Sequence, residues 1–339
     1  MTDFQIKIKQ KKIQAPFLRG ILLTLLFALL ASYLAGFPFL SIMGQLVIAM
    51  LLGMLWRAAV GAGEPVLAGA SFSSKKLLRL GIILLGMRLN LADLYHAGLG
   101  VFILSFIIIL ITIPVVYGLT RLLKVDKKIG ILTACGTAIC GAAAVVAIAP
   151  LVKASDEETA VSAGTIAILG TAFTLIYTLA YSLLNLSPQG YGAFSGGTLH
   201  EIAHVVAAAS IGGTESEDLA IIVKLTRVAL LVPVALIVGI LFREKKTEEE
   251  CSSLPFPWFI LGFLFVSGIH SIGIVSDEAA ALIVSFSYLL IGMAMAGLGL
   301  SVNILTFKNL GKKPLIAGLI GSVLLSFVGY GLVFILGFN

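Results

Sequence analysis

Apolar runs of about 18 or more residues recur along this whole chain, and each is long enough to cross a lipid bilayer. The runs are continuous rather than alternating, so they read as helices, which satisfy their own backbone hydrogen bonds in lipid. That feature removes soluble folds from consideration. Of the 339 residues, 59% are hydrophobic and 12% are charged, and no stretch has the make-up of a soluble domain. The 36 glycines exceed the roughly 7% of average usage and suit close helix packing and interrupted helices. The expected fold is all-α and integral to the membrane, one transporter-like domain over 1–339.

Eleven hydrophobic segments are read: 17–35, 38–56, 76–90, 97–123, 129–152, 157–184, 196–211, 218–241, 257–275, 279–300 and 314–337. Lys and Arg set topology more strongly than net charge does. Basic clusters fall at Lys7–Lys12, Arg57 with Lys75–Arg79, Arg121–Lys128, Arg243–Lys246 and Lys308–Lys313. The opposite connections carry Asp156-Glu157-Glu158, Glu215-Ser216-Glu217-Asp218 and Asp277-Glu278. The pattern predicts eleven crossings, a cytoplasmic basic segment 1–16, a C-terminus outside, and residence in the cell inner membrane. Keeping Arg243 inside requires 196–211 to cross. The first run reads as a retained helix rather than a signal peptide, because no Ala-x-Ala-like cleavage site follows it. Cys135, Cys140 and Cys251 suggest free thiols, not a disulfide framework.

Polar residues inside apolar segments are costly and point to function. The segment 129–152 contains Cys135-Gly136-Thr137-Ala138-Ile139-Cys140-Gly141. It reads either as a small-residue packing face or as a broken helix whose second half offers N–H groups to an anion. The segment 196–211 echoes it, with Gly197-Thr198 matching Gly136-Thr137. It also carries His200-Glu201-Ile202-Ala203-His204, the H-E-x-x-H spacing of zinc proteases. Catalytic zinc needs a third protein ligand, and no later Asn/Leu-Asp-Gly sequence or third His supplies one. Lys224 and Arg227 lie three residues apart on one helical face. Glu201 is the natural partner for one of them, although Lys224 is close enough to a helix end to snorkel. Arg88 reads as an interfacial anchor, and His96 and His270 as structural or solvated. The hydroxyls of 157–184, from Ser162 to Tyr181, form a polar face that lines a pathway or bonds neighbouring helices. Leu85-Gly86-Met87-Arg88-Leu89-Asn90-Leu91 and Leu298-Gly299-Leu300-Ser301-Val302-Asn303-Ile304 form a second echo, which suggests inverted repeat halves, 17–184 and 196–337.

Four stretches carry a family resemblance: Leu84–Leu89, Cys135–Ala144, Gly197–Ala208 and Lys224-Leu225-Thr226-Arg227-Val228. On these the chain resembles the YeiH-type sulfate exporter family of bacterial inner-membrane proteins, over essentially its full length. The resemblance implies about eleven spans, inverted repeats, and broken helices crossing at mid-membrane, in a fold related to bile-acid symporters and cation–proton antiporters. The family pattern accepts Gln or His at the position of His204, which weakens the metal reading.

The expected function is secondary transport of a small anion, a sulfur oxyanion or sulfonate, by alternating access, with no enzymatic activity. Gly136, Thr137, Ala138, Cys140, Gly141 and Thr198 are the expected binding backbone and hydroxyls. Arg227 and Lys224 neutralise the anion. Glu201 pairs with a cation or carries a coupled proton, tuned by His200 and His204. No cofactor is expected, and coupling is to H+ or Na+. The expected partners are the lipid bilayer, the small anion and, in a homo-oligomer, a second copy of the chain; nucleic acid is not among them. The alternative is an intramembrane zinc metalloprotease using His200, Glu201 and His204.

Overall fold

The computed structural model describes residues 3–37, 40, 44–88, 98–242, 258–301 and 310–339. Arg243–Lys246, Cys251, His96, Lys308 and the ends of the Leu85–Leu91 and Leu298–Ile304 echo lie outside the described residues. Every regular element among the described residues is helical. In chain order these are α1 (Asp3–Leu34), α2 (Gln45–Ala59), α3 (Glu64–Phe72), α4 (Leu78–Leu85), α5 (Gly98–Leu122), α6 (Lys127–Ala138), α7 (Ala142–Ile148), α8 (Asp156–Ala180), α9 (Pro188–Thr198), α10 (Ile202–Ala209), α11 (Thr214–Ala229), α12 (Leu231–Leu241), α13 (Trp258–Ser271), α14 (Asp277–Ser301) and α15 (Lys312–Ile335). A π-helical turn, Ser73–Leu77, joins α3 to α4, and a 3-10 turn, Gly86–Arg88, follows α4. Among the described residues, six stretches are long and apolar enough to cross a membrane: Phe17–Leu34, Gly98–Leu122, Asp156–Leu183, Thr214–Leu241, Glu278–Ser301 and Lys312–Ile335.

The helices form two groups. α1 to α4 pack with α13 and α14, while α5 to α11 pack with α15. Glycine lets backbones meet in both. A Cβ on Gly299 would lie 2.1 Å from the Met50 carbonyl oxygen, and one on Gly53 would lie 2.3 Å from that of Ala296. In the second group, Cβ atoms on Gly192 and Gly196 would each lie 2.4 Å from a carbonyl oxygen of α11, at Ser216 and Ala220. The side of α9 that faces α11 therefore consists of backbone and small residues.

The two interrupted segments do not cross. Run straight, a helix from Lys128 to Lys153 would span about 37 Å; instead Lys128 Nζ donates to the Lys153 carbonyl at 2.8 Å. Gly136 on α6 lies against the side chain of Val145 on α7. The segment 129–152 is therefore a re-entrant hairpin, with α6 going in and α7 coming back. Asp126 caps its entry, its side chain accepting the Lys128 N–H at 2.7 Å. The Ser155–Glu158 capping box starts α8 at its exit.

The segment 196–211 behaves in the same way. Ser187 caps the Pro188 start of α9, and Gln189 Nε2 donates to Glu215 Oε1, beyond the other arm, at 2.6 Å. α8 separates the two mouths. Its 25 residues cover about 37 Å, with the first mouth at Asp156 and the second near Tyr177, whose carbonyl accepts the Tyr191 hydroxyl. The hairpins thus enter from opposite ends and meet tip to tip beside the middle of α8.

This corrects the expected passage of both segments through the bilayer. It also places Asp156 at the same end as Lys75, 3.7 Å away in an ion pair, rather than at the opposite end. Removing two crossings at once also moves the 184–196 connection to the other side and leaves the side of every connection from 211 onward unchanged.

Candidate functional site

Each hairpin tip is three residues long, 139–141 and 199–201. Gly136 and Gly196-Gly197-Thr198 are helical and pack, so the glycines read as breaks are mostly contact points. Gly141 is the exception. Its φ of 73° is one that side-chain-bearing residues rarely adopt, and a Cβ there would lie 2.4 Å from Glu201 Cγ. The contact brings Glu201 of the second tip onto the first, where Oε1 accepts the Ala142 N–H at 3.3 Å. The group received by the first hairpin's returning arm is thus the protein's own Glu201 side chain.

Lys224 and Arg227 come from α11 and are both fully buried. Lys224 Nζ donates to the carbonyls of Ile139 at 2.7 Å and Leu199 at 2.8 Å, one in each tip. Arg227 Nε donates to Ala138; Nη1 to Gly196 and Leu199; and Nη2 to Thr137 and Ala138, at distances of 2.7–3.2 Å. Its five donors are all used on carbonyls. α6 and α9 both end at the tips, where helix C-termini carry about −0.5 charge each. The two cations offset these dipoles and satisfy last-turn carbonyls that would otherwise be orphaned. Among the described residues no ion pair joins Glu201 to either cation. Lys224 does not snorkel to the surface.

The histidines separate. His200 lies in the extended tip, and its Nε2 is 3.0 Å from Ser322 Oγ on α15. His204 is one turn into α10, with its imidazole against Gly170 of α8. The helix begins at Ile202, so the H-E-x-x-H string does not put both rings on one helical face. Among the described residues, no group of three His, Cys, Asp or Glu side chains comes together as a metal-binding set. Nothing in this arrangement supports the zinc-protease alternative.

A cavity of about 600 Å³ lies between the two helix groups, beside the tips. Cys140 and Glu201 reach it from the tips, and Ala203, Val206 and Ala207 of α10 form one wall. The opposite wall holds Gln45, Arg88, Ser285 and Tyr288. Arg88 is not a surface anchor: its Nη1 donates to the Tyr288 hydroxyl at 2.7 Å. Gln45 Nε2 donates to the Tyr288 carbonyl at 3.4 Å. Of the expected site residues, only Cys140 and Glu201 line this space. Gly136, Thr137, Ala138, Gly141, Thr198, His200, His204, Lys224 and Arg227 build the junction behind it. The Thr137 and Thr198 hydroxyls donate to Thr133 and Phe194 within their own helices. On α8, Ser162, Thr171 and Thr174 bond back to their own helix and Tyr177 to Ser326, and none of these hydroxyls lines the large cavity. Cys135 and Cys140 are free thiols.

A helical membrane protein built on two opposed re-entrant hairpins, with cations buried where their tips meet, is the class these features define. The family model described as "Conserved hypothetical protein 698" matches residues 19–318. A UPF0324 membrane protein of Bacillus cereus is 61% identical over 337 residues, covering 98% of this chain and 96% of the relative. One from Listeria monocytogenes is 53% identical, covering 93% and 94%, and one from Staphylococcus aureus is 36% identical, covering 93% and 95%. The chain belongs to this UPF0324, or YeiH, family of membrane proteins. No solved structure matches it.

Proposed function

We propose that the protein is a secondary transporter, not an enzyme, and moves a small anion, a sulfur oxyanion or sulfonate, by alternating access. The observation that carries this reading is the cavity, where Arg88, Tyr288 and Gln45 face the hairpin tips. Arg88 is the cation that can touch a substrate there, because the donors of Arg227 are spent on backbone. Lys224 and Arg227 keep the tips together and contribute positive field. Glu201 carries a coupled proton, since a carboxylate beside an arriving anion is repulsive unless it is neutralised.

A second, smaller cavity of about 120 Å³ supports alternation. It lies between the same two helix groups at the other end, beside Val146 of the first hairpin's returning arm. Lys75 and Asp156 pair across it. Each hairpin's returning arm thus faces one cavity, large at one end and nearly closed at the other. The two hairpins are the counterparts in an inverted repeat, and the chain crosses the inner membrane nine times with its N-terminus in the cytoplasm. Lys75, Lys128 and Lys153 then share the cytoplasmic end, as the preference for basic residues on that side requires.

A thermal-shift screen of sulfate, sulfite, thiosulfate and small sulfonates on purified protein tests the assignment. At least one should raise the unfolding midpoint of the native protein and not that of Arg88→Gln. Equal shifts in both proteins would remove Arg88 from the site.

A further inference from the structure

Five backbone carbonyls from the two tips and the helix turns that lead into them converge on one buried volume: Thr137, Ala138, Ile139, Gly196 and Leu199. Interrupted membrane helices use such a cluster, unwound carbonyls together with helix C-terminal ends, to hold an alkali cation. Here the volume is filled by cations that cannot leave. Lys224 Nζ bridges Ile139 and Leu199 at 2.7 and 2.8 Å, and the Arg227 guanidinium takes the remainder.

We infer that Lys224 and Arg227 are tethered substitutes for a coupling cation, so that sodium does not drive transport, and that removing Lys224 uncovers a latent sodium site. Three features carry this. The carbonyls belong to both hairpins, so whatever binds them also locks the tips together. Two helix C-termini supply about one negative charge between them, which favours a cation at these carbonyls. Lys224 supplies one positive charge and two short bonds, one to each hairpin. A sodium ion entering a Lys224→Ala protein restores the same charge at the same carbonyls, and the freed side-chain volume leaves room for water to complete its shell.

The inference rests on the transporter reading for its flux arm and is independent of that reading for its binding arm. In proteoliposomes, uptake of a labelled anion by the native protein should be equal under an inward sodium gradient and an inward potassium gradient. In detergent, the unfolding midpoint of the native protein should be the same in sodium chloride as in choline chloride. The midpoint of Lys224→Ala should rise with sodium chloride and not with choline chloride. Lys224→Gln keeps a neutral donor in the space and should respond weakly. Acceleration of native uptake by sodium overturns the inference, and so does a sodium-dependent native midpoint. A folded Lys224→Ala protein indifferent to sodium overturns the latent site. If Lys224→Ala does not fold, the native measurements and Lys224→Gln still decide. Absence of uptake under either gradient defeats the transporter reading alone and leaves the midpoint comparison to judge the carbonyl cluster.

Discussion

Replacing Arg227 with Met tests whether the hairpin junction depends on that side chain. Met approximates the length and apolar stem of Arg but has no donor. Thr137, Ala138 and Gly196 would then present buried last-turn carbonyls to a thioether, while Leu199 keeps its bond from Lys224. A buried polar group left without a partner costs about 1–3 kcal/mol. Three of them amount to roughly 3–9 kcal/mol, against a typical total stability of about 5–15 kcal/mol. The variant should therefore fail to yield monodisperse protein, or should unfold far below the native midpoint in a thermal scan with size-exclusion control. Arg227→Lys should fall between the two, because an ammonium has three donors to set against the five that the guanidinium places on these carbonyls. If Arg227→Met folds and melts like the native protein, the junction does not depend on these bonds. Loss of anion binding at full stability would return Arg227 to the role of substrate ligand.

Further outcomes follow from the same geometry. Tyr288→Phe removes a hydroxyl that accepts from Arg88 at 2.7 Å; a hydrogen bond to a charged group is worth about 1.5–3 kcal/mol. Anion affinity should fall by about ten-fold or more with folding intact, as measured by titration calorimetry. Gly141→Ala places a Cβ 2.4 Å from Glu201 Cγ at a φ of 73°. It should lower the unfolding midpoint and slow transport together, and a silent substitution would contradict the tip-to-tip contact. Lys75→Asp should leave the labelling rate of cavity-lining Cys140 unchanged only if the Lys75–Asp156 pair does not help hold the small cavity closed. The expected result is slower labelling, as the opposite end opens, restored by the Lys75→Asp/Asp156→Lys swap. The pair is largely exposed, so the shift should be a few-fold at most.

The all-helical membrane class was legible because lipid imposes one requirement on every segment, and hydropathy reports it directly. Hairpins were not legible from hydropathy, which measures the length of an apolar run and not its direction. The segment 129–152 is long enough to cross, yet Lys128 stands at one end and Lys153 at the other. Basic residues at both ends of one apolar run were the available sign that both ends lie on the same side. The second hairpin has the converse pattern, with Gln189 and Glu215 flanking it and no Lys or Arg between Lys153 and Lys224. Two hairpins in place of two crossings leave the later parity intact, so the basic loops from Arg243 onward carry no sign of them.

The polar residues of the junction were found because charges in apolar segments stand out, but their partners are carbonyls, which no sequence pattern marks. In sequence Arg88 reads as an anchor because it ends a helix. Its partner Tyr288 lies two hundred positions away, and only the packing of α4 against α14 brings the two to one cavity wall.

The most direct test of the central claim is flux through purified protein in liposomes. Preloaded vesicles should exchange labelled sulfate or a small sulfonate by counterflow with the native protein. Exchange should fall to the level of protein-free vesicles with Arg88→Gln, while that variant keeps the native unfolding midpoint. Native protein that is folded and oriented in the bilayer, yet exchanges none of these anions, would contradict the account. So would a folded Arg88→Gln that exchanges at the native rate.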